Sequence, residues 1–436
     1  MRKTYLYVML LVALVLAGCS KNRSADVREL LNNVPGTASF VAVVDIESLV
    51  NKTDSKVEDG AIVPGKELKA LIDSEKDTDK VRKILNGDSG VEPSVSVFFA
   101  DGYAIYNTGF LANTSKFEKF VSDNTGQEWK EDNGVRYNGK TAFKDNRYWT
   151  VVSGRSSIDP AVIREYLALS DKQSFAAGKF ADALCKGEKD IVGWSDINAA
   201  MNLSGMGFER KAMFKMVMGT LFANADYSVF DIDFQKGKVK ATAKVLDENG
   251  KETRYNFEAG KIDVSLFDTI DMDADMVMAM AVPSKLIKQL QEETSGKMSM
   301  AGMVLKSLGC VDGTVAVAAG RGESMSGVVQ TTGKNTGDLM SLLGEMDLDA
   351  RVDGKNIRFS KGNTDKGDEA KEYGALLRGS TLGVVTNSDA MVTKDAIDKA
   401  VVRLVPSDGS LVLDVDVYMD DEKTNSLLSL LEYASK

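Results

Sequence analysis

Along this chain, short apolar runs alternate with stretches whose apolar residues recur every three or four positions. The first kind predicts strands and the second helices. Phe40-Val41-Ala42-Val43-Val44 is a β-branched run, and Asp45 then caps a helix over Ile46 to Val50. Far downstream, Met276-Val277-Met278-Ala279-Met280-Ala281-Val282 predicts a buried strand, with a helix from Ser284 to Leu290 behind Pro283. Ser94 to Phe99 and Gly313 to Ala318 are further strands. Asp226 to Phe234 and Gly237 to Leu246 form a hairpin around Lys236-Gly237, and Asn249-Gly250 turns the chain before Lys251 to Phe257. Lys211 to Ala223 carries Met213, Met216, Val217 and Leu221 at helical spacing.

These elements recur in the same order twice. The order β-α-β-β-α-β-β-α-β-α describes residues 34–260 and again 270–436, aligned by pattern rather than by residue identity. In that alignment 135–140 and 146–153 answer to 355–362 and 379–387, and a helix at 160–169 answers to one at 394–402. The expected class is α+β: two tandem related domains, mostly antiparallel sheets with helices packed on one face. The open face should carry polar residues such as Thr242, Lys244 and Arg254.

The N-terminus has a different pattern. Arg2 and Lys3 precede an uncharged run from Tyr5 to Leu16, too short to span a bilayer as a helix. Leu16-Ala17-Gly18-Cys19 follows, and this tetrad resembles the lipobox of bacterial lipoproteins. The resemblance implies a signal peptide over 1–18 and a lipid, palmitate among its acyl chains, on Cys19. Residues 19–33 are expected to be a lipid-anchored tether. The first acidic residue after Cys19 is Asp26, so the acidic cluster that often marks surface export in Bacteroidota-type lipoproteins is missing. That favours an outer-membrane anchor facing the periplasm, with the cell surface as the other location.

Composition narrows the chemistry. With 436 residues, 43% hydrophobic and 27% charged, the chain can build a large folded body. Its formal charge of −10, without a basic run, makes nucleic acid an unsuitable partner. Histidine is absent, which rules out Ser-His-Asp and Cys-His catalysis and histidine-based zinc sites. Cys185 and Cys310 remain once Cys19 is lipidated, and can either pair or fill the core as small apolar residues.

The candidate sites are sparse. Asp268, Asp271, Asp273 and Asp275 open like a calcium loop, but Met276 and Val282 stand where glycine and glutamate are required. Asp414, Asp416, Asp420 and Asp421 could supply paired carboxylates for an envelope hydrolase. Met276, Met278 and Met280, then Met298, Met300 and Met303, and Met213, Met216 and Met218 offer soft sulfur, although core packing explains them better. Gly320-Arg321-Gly322 and Gly205-Met206-Gly207 lack phosphate-loop spacing and read as turns. Trp129, Trp149 and Trp194 could form a glycan platform or lie in the core. No catalytic, metal or cofactor-binding residue is assigned, and no cofactor is expected.

Ala38 to Asp45 after Val34-Pro35, Lys116-Phe117-Glu118-Lys119-Phe120, and Lys189-Asp190-Ile191-Val192-Gly193-Trp194, with the lipobox, carry a family resemblance. The chain resembles an uncharacterised lipoprotein family of gut Bacteroidota whose domain of unknown function covers nearly the whole mature chain. The resemblance implies an envelope location and brings no active site. The expected function is a membrane-anchored, non-enzymatic role, binding a protein or glycan partner through sheet faces. An envelope hydrolase using paired carboxylates is the alternative.

Overall fold

The computed structural model describes residues 23–58, 61–74, 79–203, 207, 211, 219, 222, 224–255, 259–294, 305–362, 366–388 and 396–435. The signal peptide, Cys19, most of the 211–223 helix and the Met298–Met303 group lie outside the described residues.

The described chain opens with helix α1 (Arg23–Leu31), in which Val27, Leu30 and Leu31 are fully buried. The expected tether over 19–33 is therefore corrected from Arg23 onward, where the segment is a helix with one face buried in the core. Spacings of three and four place those apolar residues on one helical face, and burying that face stabilises the helix more than its polar neighbours oppose it.

The first half continues with β1 (Phe40–Asp45), α2 (Ile46–Lys52), the ribbon β2 (Lys56–Glu58) and β3 (Ala61–Val63), α3 (Lys66–Ser74) and α4 (Asp79–Leu85). The Asp45 carboxylate accepts from the Ser48 N–H, capping α2 as its sequence predicts. Then come β4 (Val91–Asp101), β5 (Ala104–Leu111), α5 (Thr114–Thr125), β6 (Lys130–Asp132), β7 (Val135–Asn138), β8 (Thr141–Lys144) and β9 (Arg147–Ser153). Helices α6 (Pro160–Leu167) and α7 (Ala181–Lys186) lead to β10 (Ile191–Asp196), α8 (Ile197–Leu203), β11 (Tyr227–Gln235) and β12 (Lys238–Leu246).

The second half holds β13 (Met276–Val282), α9 (Ser284–Thr294), β14 (Val311–Ala319), β15 (Met325–Thr331), α10 (Gly337–Glu345), β16 (Asp349–Asp353) and β17 (Asn356–Lys361). It ends with α11 (Glu369–Leu376), β18 (Leu382–Asn387), β19 (Ile397–Ser407), β20 (Ser410–Met419) and α12 (Ser426–Ser435).

Apart from the ribbon, these strands form one 18-stranded antiparallel sheet rather than two separate ones. One half runs β6-β7-β8-β9-β5-β4-β1-β10-β11-β12. The other runs β16-β17-β15-β14-β13-β18-β19-β20. They meet where β12 pairs with β20, from Lys238 opposite Tyr418 to Lys244 opposite Val412. Counted outward from this seam, β12-β11-β10-β1-β4-β5-β9 corresponds to β20-β19-β18-β13-β14-β15-β17.

The pairing revises the pattern-based alignment. β18 takes the place of β10, and β17 that of β9; short apolar runs look alike, and only pairing distinguishes them. The helix expected at 394–402 is strand β19 from Ile397 onward, paired with both β18 and β20. Two ladders of cross-strand contacts outweigh local propensity there. The Asn249-Gly250 turn is present, with φ +78° at Gly250, but only isolated bridges follow, at Glu252 and Tyr255.

Helices cover both faces of the sheet, not one. On the first face, α1, α6 and α7 bury Val41, Val43, Phe99, Trp149 and Trp194, and α11 lies over Val277, Ala279 and Val385. On the second face, α2, α3, α4, α5 and α12 cover Val44 and Phe98, while α9 and α10 cover Val315 and Val317. Cys185 belongs to the first-face core of one half and Cys310 to the second-face core of the other; both are free and buried. The sheet thus separates them, which excludes a bridge between them in this fold.

Candidate functional site

The strands around the seam carry opposite chemistries on their two faces. On the second face, Met278, Val384, Val402, Val415 and Ala241 stand in one register row across β13, β18, β19, β20 and β12. Met280, Leu382, Leu404, Leu413 and Ala243 form the next row, and Met276, Thr386, Ala400, Val417 and Val239 the row on the other side. These three rows contain no charge, and Thr386 is their one polar residue. Such a surface should be covered. Yet Met276, Met278, Val402 and Leu413 are 36–45% exposed, and Val384, Leu404 and Val415 are partly exposed. The sequence pattern of β13 predicts burial for all three methionines, and Met276 and Met278 depart from it.

The position of this strip follows from the topology. The helices of the first half pack over β1, β4 and β5, and those of the second over β14, β15 and β17. Between them the seam strands form an apolar floor. At one end α12 reaches Phe234, with the Asn425 side chain donating to the Phe234 carbonyl at 3.1 Å. At the other end Phe222, Leu286 and Leu411 form a small cluster with Met280 and Val245.

The opposite face of the same strands is charged. Arg403 binds Asp414 at 2.8 Å and Asp416 at 2.6 Å, and donates to the Leu376 carbonyl at 3.1 Å. Lys238 sits 3.2 Å from Asp416, Lys240 lies 3.9 Å from Asp414, and Thr242 donates to Asp231 at 2.5 Å. Asp414 and Asp416 are therefore brought together, as the sequence suggests, but around one shared guanidinium. That arrangement engages both carboxylates in charge-assisted hydrogen bonds to the same guanidinium. Thr242 and Lys244 lie on this polar face as expected, with Lys244 paired to Glu252.

A second cluster of charges closes the end of the sheet where β1 finishes and β10 begins. Asp190 is fully buried and accepts from the Ser48 hydroxyl, the Phe234 N–H and Lys52, at 2.6, 2.6 and 2.7 Å. Lys52 also pairs with Asp233, which takes Lys189 at 3.0 Å and Gln235 at 2.8 Å. Burial works against the Asp233 charge, but hydrogen bonds from Lys52, Gln235 and Lys189 outweigh it and hold this carboxyl well below the usual carboxylate range. For Lys52, burial favours the neutral amine, and the two carboxylates prevail to raise its pKa. Every carboxylate here is matched to a cation, as in a structural clasp.

The remaining sequence candidates disperse. Asp268 pairs with Lys371 and Asp271 with Lys366, while Asp275 accepts from Asn387. Among the described residues, no three acidic or cysteine side chains gather as a metal site. Trp149 and Trp194 are buried, and the Trp129 ring packs against Phe117 and Phe143 while its indole N–H donates to the Glu118 carbonyl; none offers an open platform. No helix of the described residues is long and apolar enough to cross a membrane.

No family model and no curated protein matches this chain. Among solved structures, two crystal forms of TP0453 are similar at 8% identity, covering 79% of this chain and 95% or 96% of theirs. Their TM-score of 0.29 is too low to carry an argument about this protein.

Proposed function

We propose that this protein is a lipid-anchored envelope protein that works by binding, without catalysis, and that the apolar strip over the seam is its binding face. The observation that carries the reading is the exposure of Met276, Met278, Val402 and Leu413 on a charge-free floor whose reverse side holds the ion pairs. Surfaces of this kind on folded proteins mark interaction sites. The matching strand orders on either side of the seam support two related halves, joined so that the strip forms where they meet.

The anchor is Cys19, in the outer membrane facing the periplasm. Three residues separate Cys19 from Arg23, and Arg23 is already fixed to Asp45 at 2.7 Å. A span of four residues reaches at most ~14 Å, so the body sits close to the bilayer. Cys19→Ala should abolish fatty-acid labelling and release the chain from membranes; retained labelling would refute the anchor. The binding face is tested with the environment-sensitive dye ANS on Cys19→Ala protein. Saturable enhancement, lost in Val402→Asp, supports the reading, and no enhancement in the parent protein refutes it.

A further inference from the structure

We propose that the occupant of the strip is the linear acyl chain of a free fatty acid. This rests on the reading of the strip as a binding face and names what that face holds.

Four features lead to this class of ligand. First, the floor has no group that could recognise a polar ligand: fifteen side chains in three rows include a single hydroxyl, on Thr386. Secondly, every strand of the floor is paired on both sides, so an extended peptide finds no free edge to extend. Thirdly, the floor is small. With the rows continued onto β11 by Phe230, Ile232 and Phe234, five strand spacings by four residues make roughly 24 Å by 14 Å. That is well under the ~800 Å² per partner that a stable protein dimer buries. The helix packs on either side also wall off the floor from a second flat sheet. Fourthly, Met276 and Met278 provide unbranched, adaptable side chains at one end, suited to a mobile hydrocarbon.

An acyl chain gains affinity with each methylene it lays on the floor, and a compact apolar ligand or a protein helix has no such dependence. The test is competition by octanoate, dodecanoate and hexadecanoate against ANS on Cys19→Ala protein. A parallel arm measures transfer of labelled phosphatidylethanolamine from vesicles. Affinity should rise up to about fourfold per methylene until the floor is filled. Val402→Asp and Leu413→Asp should each weaken hexadecanoate at least tenfold, and Lys244→Gln on the reverse face should leave it unchanged. Competition without vesicle transfer supports the free acid, and transfer of the phospholipid overturns it in favour of a membrane lipid. If ANS binds but the fatty acids neither compete nor show a length dependence, and no lipid is transferred, the acyl chain is wrong while the binding face stands. If ANS does not bind either, both fail. Hexadecanoate binding that ignores both aspartate variants also overturns the proposal, and their unchanged melting temperatures certify the fold.

Discussion

The clasp around Asp190 makes a strong demand on stability. Lys52→Met removes the one cation bound, among the described residues, to the Asp190 carboxylate, which has no exposed surface, leaving it the Ser48 hydroxyl and the Phe234 N–H. Breaking a buried ion pair from one side costs about 3–5 kcal/mol. The Lys52 side chain keeps 27% of its surface exposed, so solvent screens part of the interaction, and Asp233 retains Lys189 and Gln235. The lower end, ~3 kcal/mol, is therefore expected. Urea unfolding of Lys52→Met against the parent measures it. Adding Asp190→Asn should restore part of the loss, because an amide buried without a cation is less unfavourable than a carboxylate. The pH dependence has a definite sign. The folded pKa of Asp233 lies below its unfolded value near ~3.9, so its contribution is complete above that value and is lost as the pH falls through the folded pKa. The folded pKa of Lys52 is raised, so its contribution holds below ~10.4 and fades as the pH rises through the folded value. Both slopes should flatten in Lys52→Met. A loss under ~1 kcal/mol, or a double variant no more stable than the single, would refute the account.

Two further perturbations test the fold. Leu30→Ala should destabilise the protein by about 2–5 kcal/mol in the same unfolding assay, because Leu30 is fully buried in α1; a tether residue would leave stability unchanged. Cys185 and Cys310 should resist alkylation in the folded protein and both react after unfolding without reductant, as read by intact mass. Burial raises both thiol pKa values, and recovery of a disulfide-linked peptide would contradict the separation of the two cores.

The sequence makes some of this architecture legible. Local alternation is enough for β1, β13 and the β11–β12 hairpin, and Asp45 announces α2. The α1 signal is also present, in Val27, Leu30 and Leu31, but Arg28 and Glu29 between them give the segment the look of a polar linker. β19 is harder, since Asp398 and Lys399 interrupt its apolar period, and pairing with the strands before and after it decides its state. The candidate site is least legible. Met276 and Met278 carry the pattern of buried residues, and whether a face is covered depends on where helices from other parts of the chain come to rest. The carboxylates at 414 and 416 announce themselves, but their neutralisation by Arg403 follows only from register.

The seam also dictates when the molecule can be completed. β20 spans Ser410–Met419 and inserts between β12 and β19, and α12 then settles against Phe234. A chain emerging N-terminus first therefore finishes β12 long before its partner exists. During that interval the outer edge of β12 is an open row of backbone donors and acceptors beside Ala241 and Ala243, a template for wrong association between nascent copies. Correct assembly accordingly requires that this edge be shielded by a holding chaperone or that folding outpace such encounters. Loss of the last ~30 residues would leave β12 and β19 without their shared partner, turning a closed sheet interior into two adhesive edges.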